Sequence, residues 1–321
     1  MTGAELAPAT PRLAELERAA ADYVATQRPR NTIRAYAADW RAWQEYTAEI
    51  GIPESSDTAG ALVGFVAWLE NRGAAPSTID RRLGGVVVGL RARGANPPKA
   101  ASESARAALN GYRRRLAEAG EKRGRGQAPA LTVKDLRTIC AACPDTLAGI
   151  RDRALVLLAF GIAGRRSEVA SLLVSDIVDQ PEGLVVTVRF GKTGARTVAV
   201  PYGSHEGTCP VRAWRRWRTV AGLVDGPAFR RINRHDQLQD GGLSGQAVGE
   251  VINRAAARAG LTVRYTGHSA RAGLATEARR AGHDAKTIAA QGGWSPTSAV
   301  LHGYMRVVDQ WADNAVAGIG L

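Results

Sequence analysis

The sequence predicts a mainly α-helical protein in two units, an N-terminal helical bundle and a C-terminal mixed α/β domain with a small antiparallel β-sheet. Three observations predict it. Apolar residues recur at three- and four-residue spacing through most of the 321 positions. Residues 118–129 (EAGEKRGRGQAP) interrupt that periodicity with glycines and basic residues, as a linker does. A single block of β-branched residues surrounds a Gly-Lys-Thr-Gly turn, as a hairpin does. The predicted boundaries are 1–120 for the bundle, 121–130 for the linker and 131–321 for the second domain.

The elements follow in order. Asn31 opens a helix with Ile33, Tyr36, Ala37, Trp40 and Trp43 along one side. A second helix covers Ala61 to Asn71 and ends at Gly73. Ser77 and Asp80 have the spacing of a capping box, and Ile79, Leu83, Val86, Val87 and Leu90 continue that helix until Gly94 and Pro97-Pro98. A fourth runs from Glu103 to Ala117, and the first third contains no convincing strand. In the second domain Thr132 and Asp135 start a helix, and Ile150 to Ala163 form a strongly apolar one. Gly183 to Phe190 (GLVVTVRF) and Thr197 to Val200 form the hairpin. Leu243–Ala259, His268–Arg280 and Ala285–Ala290 read as helices. A short one in Val307–Leu321 would expose Trp311, Val316 and Ile319 unless a partner covers them.

Composition narrows the function. Lys plus Arg number 43 against 30 Asp plus Glu, a net charge of +13, and the only lysines are Lys99, Lys122, Lys134, Lys192 and Lys286. A surplus carried by arginine on both sides of the linker suits a polyanion, most commonly nucleic acid. The N-terminal residues lack the apolar core of a secretory leader, and the longest apolar run, Ala154 to Gly164, is too short to span a bilayer. The expectation is a cytoplasmic protein without a membrane partner. Three cysteines make no disulfide framework, and Cys140-x-x-Cys143 lies in a helical pattern without a second ligand pair, so core packing is expected and metal is not.

Several local patterns offer chemistry. Gly191-Lys192-Thr193 resembles the end of a phosphate loop, but Val186 stands where that loop needs its first Gly. Gly267-His268-Ser269 resembles a nucleophile elbow, but Arg271 stands where the strained turn needs a small residue. His268-x-x-Arg271 and Arg165-x-x-Glu168 each place two polar groups three apart, which on a helix share a face. Either pair is ordinary on a solvated surface. Yet Arg165 follows Phe160-Gly161-Ile162-Ala163-Gly164 at the end of an apolar helix, and a buried arginine needs a carboxylate or an anionic ligand. Two arginines, a hairpin lysine and a histidine suit a phosphodiester whose charge rises in a transition state. Tyr304, in Leu301-His302-Gly303-Tyr304-Met305-Arg306, supplies a nucleophile in that company; alone it would read as a packing residue.

In this order the residues resemble the tyrosine recombinase, or phage integrase, family. Ala-Gly-Arg-Arg-Ser-Glu-Val at 163–169 is similar to its first box, Gly191-Lys192 before Thr197-Val-Ala-Val-Pro201 to its hairpin lysine, and Gly-His-Ser-Ala-Arg at 267–271 to its second box. Gly-Gly-Trp at 292–294 resembles the branch with Trp where many relatives have His, and Thr78-Ile79 through Leu90 resembles the family's core-binding bundle. Two departures stand out: Arg166 replaces an aliphatic residue, and Trp294 to Tyr304 is one residue longer than in that branch. The likeness spans roughly residues 30–310.

The resemblance implies a SAM-like core-binding bundle and a catalytic domain that clamp double-stranded DNA. It implies that Tyr304 attacks a phosphodiester to give a 3′-phosphotyrosine and a free 5′-hydroxyl. Arg165 and Arg271 would hold the non-bridging oxygens, His268 would act as acid/base or hydrogen-bond donor, Lys192 would protonate the leaving oxygen, Trp294 would donate its indole N–H, and Glu168 would orient the pocket. Bond energy stays in the phosphotyrosine, so no cofactor, metal or ATP is implied. The implied partner is an inverted-repeat DNA site, bound by a homodimer on each site and a homotetramer in synapsis. Arg81, Arg82, Arg113, Arg114, Lys122, Arg123 and Arg125 are the expected DNA contacts. The same pocket would serve a type IB topoisomerase-like or hairpin-forming strand transferase, or a DNA-binding relative without activity.

Overall fold

The computed structural model describes residue 12, residues 30–312 apart from 125 and 190–193, and residues 314 and 316. The chain divides into two compact units, Met1–Gly126 and Gln127–Leu321.

Among the described residues the first unit is a bundle of four helices, α1 (Arg30–Ile50), α2 (Ala59–Asn71), α3 (Pro76–Arg91) and α4 (Lys99–Glu118). Its core is aromatic: Trp43, Tyr46, Phe65 and Trp68 pack with ring centroids 5.2–6.0 Å apart, in tilted, edge-on and stacked arrangements. Thr58 caps α2 through Ala61 N, and Gly73, at φ +71°, ends it as expected. The expected Ser77/Asp80 capping box does not form. Pro76 already occupies the first turn, where its missing N–H costs nothing, and Asp80 pairs instead with Arg113. Helix α4 starts at Lys99, directly after Pro98 and ahead of the expected Glu103. Residues just past α4 stay on the bundle: Glu121 N–H donates to the Leu116 carbonyl and Arg123 donates to the Tyr112 hydroxyl.

In the second unit a full Thr132/Asp135 capping box starts α5 (Val133–Ala141). Helix α6 (Leu147–Gly161) is buried on nearly every side and runs through the main core. Short α7 (Arg166–Ala170) leads to a three-stranded antiparallel sheet, β1 (Ile177–Gln180), β2 (Gly183–Val188) and β3 (Arg196–Pro201), with β2 in the centre and Val186 opposite both Ile177 and Val198. Strand β1 was not legible, because its IVDQ alternates too briefly to mark a strand. After α8 (Pro210–Val220) a second, unpredicted hairpin joins β4 (Arg230–Ile232) to β5 (Leu238–Gly242). At its tip the Asp236 carboxylate accepts the free N–H groups of Leu147 and Ala148 at 2.7 and 2.9 Å, capping α6 from 88–89 residues away.

Helices α9 (Gly245–Arg258), α10 (Ser269–Arg280), α11 (Ala285–Gly292) and α12 (Ala299–Ala312) complete the unit. A smaller core of Ala272, Ala275, Ile288, Leu301, Tyr304 and Met305 joins α10, α11 and α12. Cys140 is buried and Cys143 half-buried against the main core, and burial pushes the Cys140 thiol up to about 12. Of the expected C-terminal tail, Val316 is exposed, while Ile319 lies outside the described residues. Among the described residues no helix is long and apolar enough to cross a membrane, and no group of three His, Cys, Asp or Glu is placed to hold a metal ion.

Candidate active site

Arg165, Glu168, His268, Arg271, Trp294 and Tyr304 come together in the second unit, and Lys192 lies outside the described residues. Arg165 lies beyond the end of the apolar helix. Helix α6 ends at Gly161, and Ala163 takes a left-handed conformation at φ +46°. That conformation costs a residue with a Cβ roughly 1–2 kcal/mol. It faces the Ala163 carbonyl to Arg271, whose Nη1 donates to it at 2.9 Å. Strain at a turn that orients a functional group is a common feature of active sites.

Arg165 then becomes the N-cap residue of α7. Its backbone N–H donates to Glu168 Oε2 at 3.0 Å, and its guanidinium donates to Oε1. Glu168 is fully buried and also accepts Arg196 Nη2 at 2.9 Å. Burial alone would raise its pKa, but the hydrogen bonds from Arg196 and Arg165 outweigh burial and hold it below the ordinary carboxylate value. Glu168 therefore stays ionised and fixes two guanidiniums at once.

His268 is the N-cap residue of α10, directly before the helix that carries Arg271, and it lies at the exposed rim. Partial loss of hydration, then the charges of Arg165, Arg271 and Arg166, depress its pKa, with Glu168 opposing them. The imidazole is therefore neutral at physiological pH and free to accept a proton.

Arg271 is buried. Its Nη1 donates to the Ala163 and Gly292 carbonyls, and its Nη2 is buried without a hydrogen-bond partner. Desolvation and then repulsion from Arg165 lower its pKa. A buried guanidinium with an idle donor, beside a second guanidinium, is ready for an anion. The Trp294 ring lies flat under it, 3.5 Å from Arg271 Cζ, and meets the Tyr304 ring edge-on with centroids 6.3 Å apart. Helix α12 holds Tyr304 against α10, where Thr276 donates to the Tyr304 carbonyl at 3.2 Å. Burial raises the Tyr304 phenol above its usual pKa, and Arg271 and Arg165 pull it partly back. The resting phenol is therefore protonated.

Sequence reasoning missed three parts of this site. Arg196 was one; its signal is a cation on the same strand face as buried Val198 and Val200. Gly292 and Gly293 are the others. A Cβ at 292 would overlap the Trp294 ring, and Gly293 closes α11 in the left-handed conformation at φ +62°. Gly292→Ala should displace the indole and slow single-turnover DNA cleavage by about 10²-fold, the usual cost of misplacing a group by about 1 Å. A parental rate would show that the ring position is irrelevant.

The expected DNA contacts all lie in the first unit. Arg81 is tied to the fully buried Asp39 carboxylate at 2.5 and 2.6 Å. Arg82 is half-buried and its Nε lacks a hydrogen-bond partner. Arg113 pairs with Asp80 and Asn110, and Arg123 with Glu121 and Tyr112. Arg114 and Lys122 are exposed, and Arg125 lies outside the described residues.

Comparison with known proteins places this architecture. Residues 129–310 match the profile of the phage integrase family. An integrase/recombinase xerD homolog of Selenomonas ruminantium is 30% identical over 298 residues, covering 89% of this chain and 84% of the relative. Recombinase cre of Escherichia phage P1 is 26% identical over 285 residues, covering 84% and 81%. Among solved structures, the Tn1549 transposon integrase in complex with transposon right-end DNA superposes with a TM-score of 0.57 at 13% identity, over 88% of this chain and 94% of that one. A lambda integrase tetramer bound to a Holliday junction gives 0.53 at 16%, over 93% and 78%. These two likenesses are of fold. Because the profile spans more than half of the chain and the xerD homolog aligns along most of both sequences, this protein belongs to the phage integrase family.

Proposed function

We propose that this protein cuts and rejoins DNA at a specific site, with Tyr304 as the nucleophile. It is a tyrosine recombinase by family, and the observation that carries the mechanism is the buried, unpartnered Nη2 of Arg271 beside Arg165 in the pocket that holds Tyr304. A phosphodiester entering that pocket supplies the missing acceptor. The Tyr304 oxygen attacks phosphorus, and the phenol proton passes to neutral His268. The P–O5′ bond breaks, and the leaving oxygen takes a proton from Lys192. Arg165 and Arg271 meet the negative charge that grows on the non-bridging oxygens. Glu168 keeps Arg165 oriented, and Trp294 packs beneath Arg271 and offers its N–H. Water or a 5′-hydroxyl can then attack the phosphotyrosine, and the hydroxyl reseals the strand at no cost in ATP.

In this reading residues 1–120 bind DNA, residues 121–130 link, and residues 131–321 do the chemistry, in the cytoplasm. The assembly is a dimer on each inverted-repeat site and a tetramer in synapsis, the state in which the lambda integrase was solved on a Holliday junction.

The deciding experiment incubates the protein with the inverted repeat in the DNA flanking its gene. A covalent adduct should appear on a denaturing gel in the presence of EDTA, since guanidiniums supply the charge. Strict dependence on Mg²⁺ would point to a metal-dependent nuclease, and relaxation of plasmids without any such site would point to a topoisomerase. Binding should also weaken steeply with salt, with a log–log slope of about −0.9 per phosphate neutralised, given a net charge of +13. A slope near zero in a gel-shift titration would sink the DNA reading.

A further inference from the structure

Arg166 stands where the first box has an aliphatic residue, and the chemistry proposed for the pocket leaves it without a role. It opens α7, one position after Arg165, and is exposed. Its stem lies across Gly267, the residue before His268. A Cβ at 267 would stand 2.5, 2.9 and 3.0 Å from Cδ, Cγ and Cβ of Arg166, so the stem passes there only because the residue is glycine. The backbone beneath it is fixed. Thr266 N–H donates to the Ser269 hydroxyl at 2.8 Å, Ser269 N–H donates to the Thr266 carbonyl at 3.1 Å, and His268 N–H donates to the Thr266 hydroxyl at 3.2 Å. The arginine thus runs over a tight turn beside His268, at the rim of the pocket that holds Arg165 and Arg271.

Its charge has no counter-charge. Glu168, the buried carboxylate of the pocket, is already shared by Arg165 and Arg196. Among the described residues no group accepts a hydrogen bond from the Arg166 guanidinium, and no carboxylate pairs with it. Arg165, Arg271 and Arg166 all depress the pKa of His268, so the three charges converge on one place. Like charges gathered there repel and cost stability in the free protein. An aliphatic side chain would cover Gly267 without that cost. What arginine adds is a rigid fork of donors that matches phosphate.

We infer that Arg166 forms a phosphate-binding site on the rim of the active site and takes a DNA phosphate next to the scissile one. Arg271 is buried and Arg165 partly buried, so they serve a phosphate inside the pocket. Arg166 is exposed beside them, and its fork meets the strand as it leaves the pocket. The contact is to the DNA backbone, so it adds affinity and fixes register but reads no base. This rests on the reading of the pocket as the place where a DNA phosphodiester is attacked.

Arg166→Gln is the diagnostic variant, because it keeps the stem over Gly267 and removes the charge. Binding is measured by gel shift over a salt series, on the target repeat and on an unrelated duplex of the same length. The log–log slope of the variant should be shallower than the parent's by about 0.9, the share of one phosphate. Affinity should fall alike on both duplexes, since a phosphate contact carries no sequence preference. Arg166→Lys retains the charge and should retain the slope. Methylphosphonates, each of which removes one phosphate charge, then locate the contact. Neutralising one of the two phosphates that flank the scissile one should weaken the parent by roughly 10-fold, as for one hydrogen bond to a charged group, and should weaken Arg166→Gln no further. The free variant should melt no lower than the parent, because the substitution breaks no bond and relieves repulsion.

An unchanged slope overturns the inference, and so does equal sensitivity of parent and Arg166→Gln to both flanking methylphosphonates. A loss confined to the target duplex would make Arg166 a reader of bases, and a lower melting temperature with a loss spread over every phosphate would make its role structural; either result removes the phosphate site. If the parent itself binds with a slope near zero or forms no covalent adduct, the DNA reading fails and this site fails with it. If the parent binds steeply and forms the adduct while Arg166→Gln matches it throughout, only the site fails.

Discussion

Tyr304→Phe should abolish the covalent protein–DNA adduct and every recombinant product while leaving DNA binding intact. The substitution removes one oxygen and keeps the ring. The edge-on contact with Trp294 and the packing of α12 on α10 should persist, since Thr276 bonds the backbone carbonyl of residue 304 and not its side chain. Burial holds the phenol protonated at rest, so its hydroxyl contributes to catalysis and little to the charge of the free protein. Binding is checked by gel shift on the target repeat, and the adduct by denaturing gel. An adduct formed by Tyr304→Phe would place the nucleophile elsewhere. Tyr265 is the remaining tyrosine in the C-terminal part of the domain. It is buried and hydrogen-bonds with Asp135, and burial, the Asp135 charge and that bond push its phenol up to about 12.

Lys192→Ala should slow cleavage of an ordinary phosphodiester by about 10²–10⁴, the usual range for losing a general acid. The nucleophile, both arginines and Glu168 are untouched, so the pocket still binds phosphate. The function proposed for Lys192, and lost in this variant, is one proton at the leaving 5′-oxygen. A 5′-bridging sulfur leaves as a stable thiolate and should return the variant close to the parental rate. The same sulfur should do nothing for Tyr304→Phe, which has no attacking oxygen. The pair of substrates therefore separates attack from departure. Equal rates of Lys192→Ala and parent on the phosphodiester would remove Lys192 from the mechanism.

The candidate residues were legible in the chain because their chemistry is local in sequence. Arg165 follows an apolar run that has no use for a cation. His268 and Arg271 stand three apart at a helix start, and Tyr304 follows both. Their boxes carry a family likeness that composition alone could not supply. The arrangement of the bundle was legible too, from Trp40, Trp43 and the glycines that end its helices. The Ser77/Asp80 box misled, because a capping pattern says nothing of the proline one position earlier that already begins the helix.

By itself the sequence determined the helical character, the two-unit division and the basic charge, and it singled out the candidate reacting groups. Each depends on a short window of residues or on a sum over all of them. The tertiary structure alone decided how those groups are held. Ala163 turns left-handed to face its carbonyl to Arg271, and Asp236 caps a helix that begins 89 residues earlier. Gly292 leaves room for the Trp294 ring, and Arg196 shares Glu168 with Arg165. These contacts join residues far apart in the chain. No local pattern encodes them, because a buried charge or an idle donor is recognisable only once the surrounding protein has excluded water and shown which partners remain.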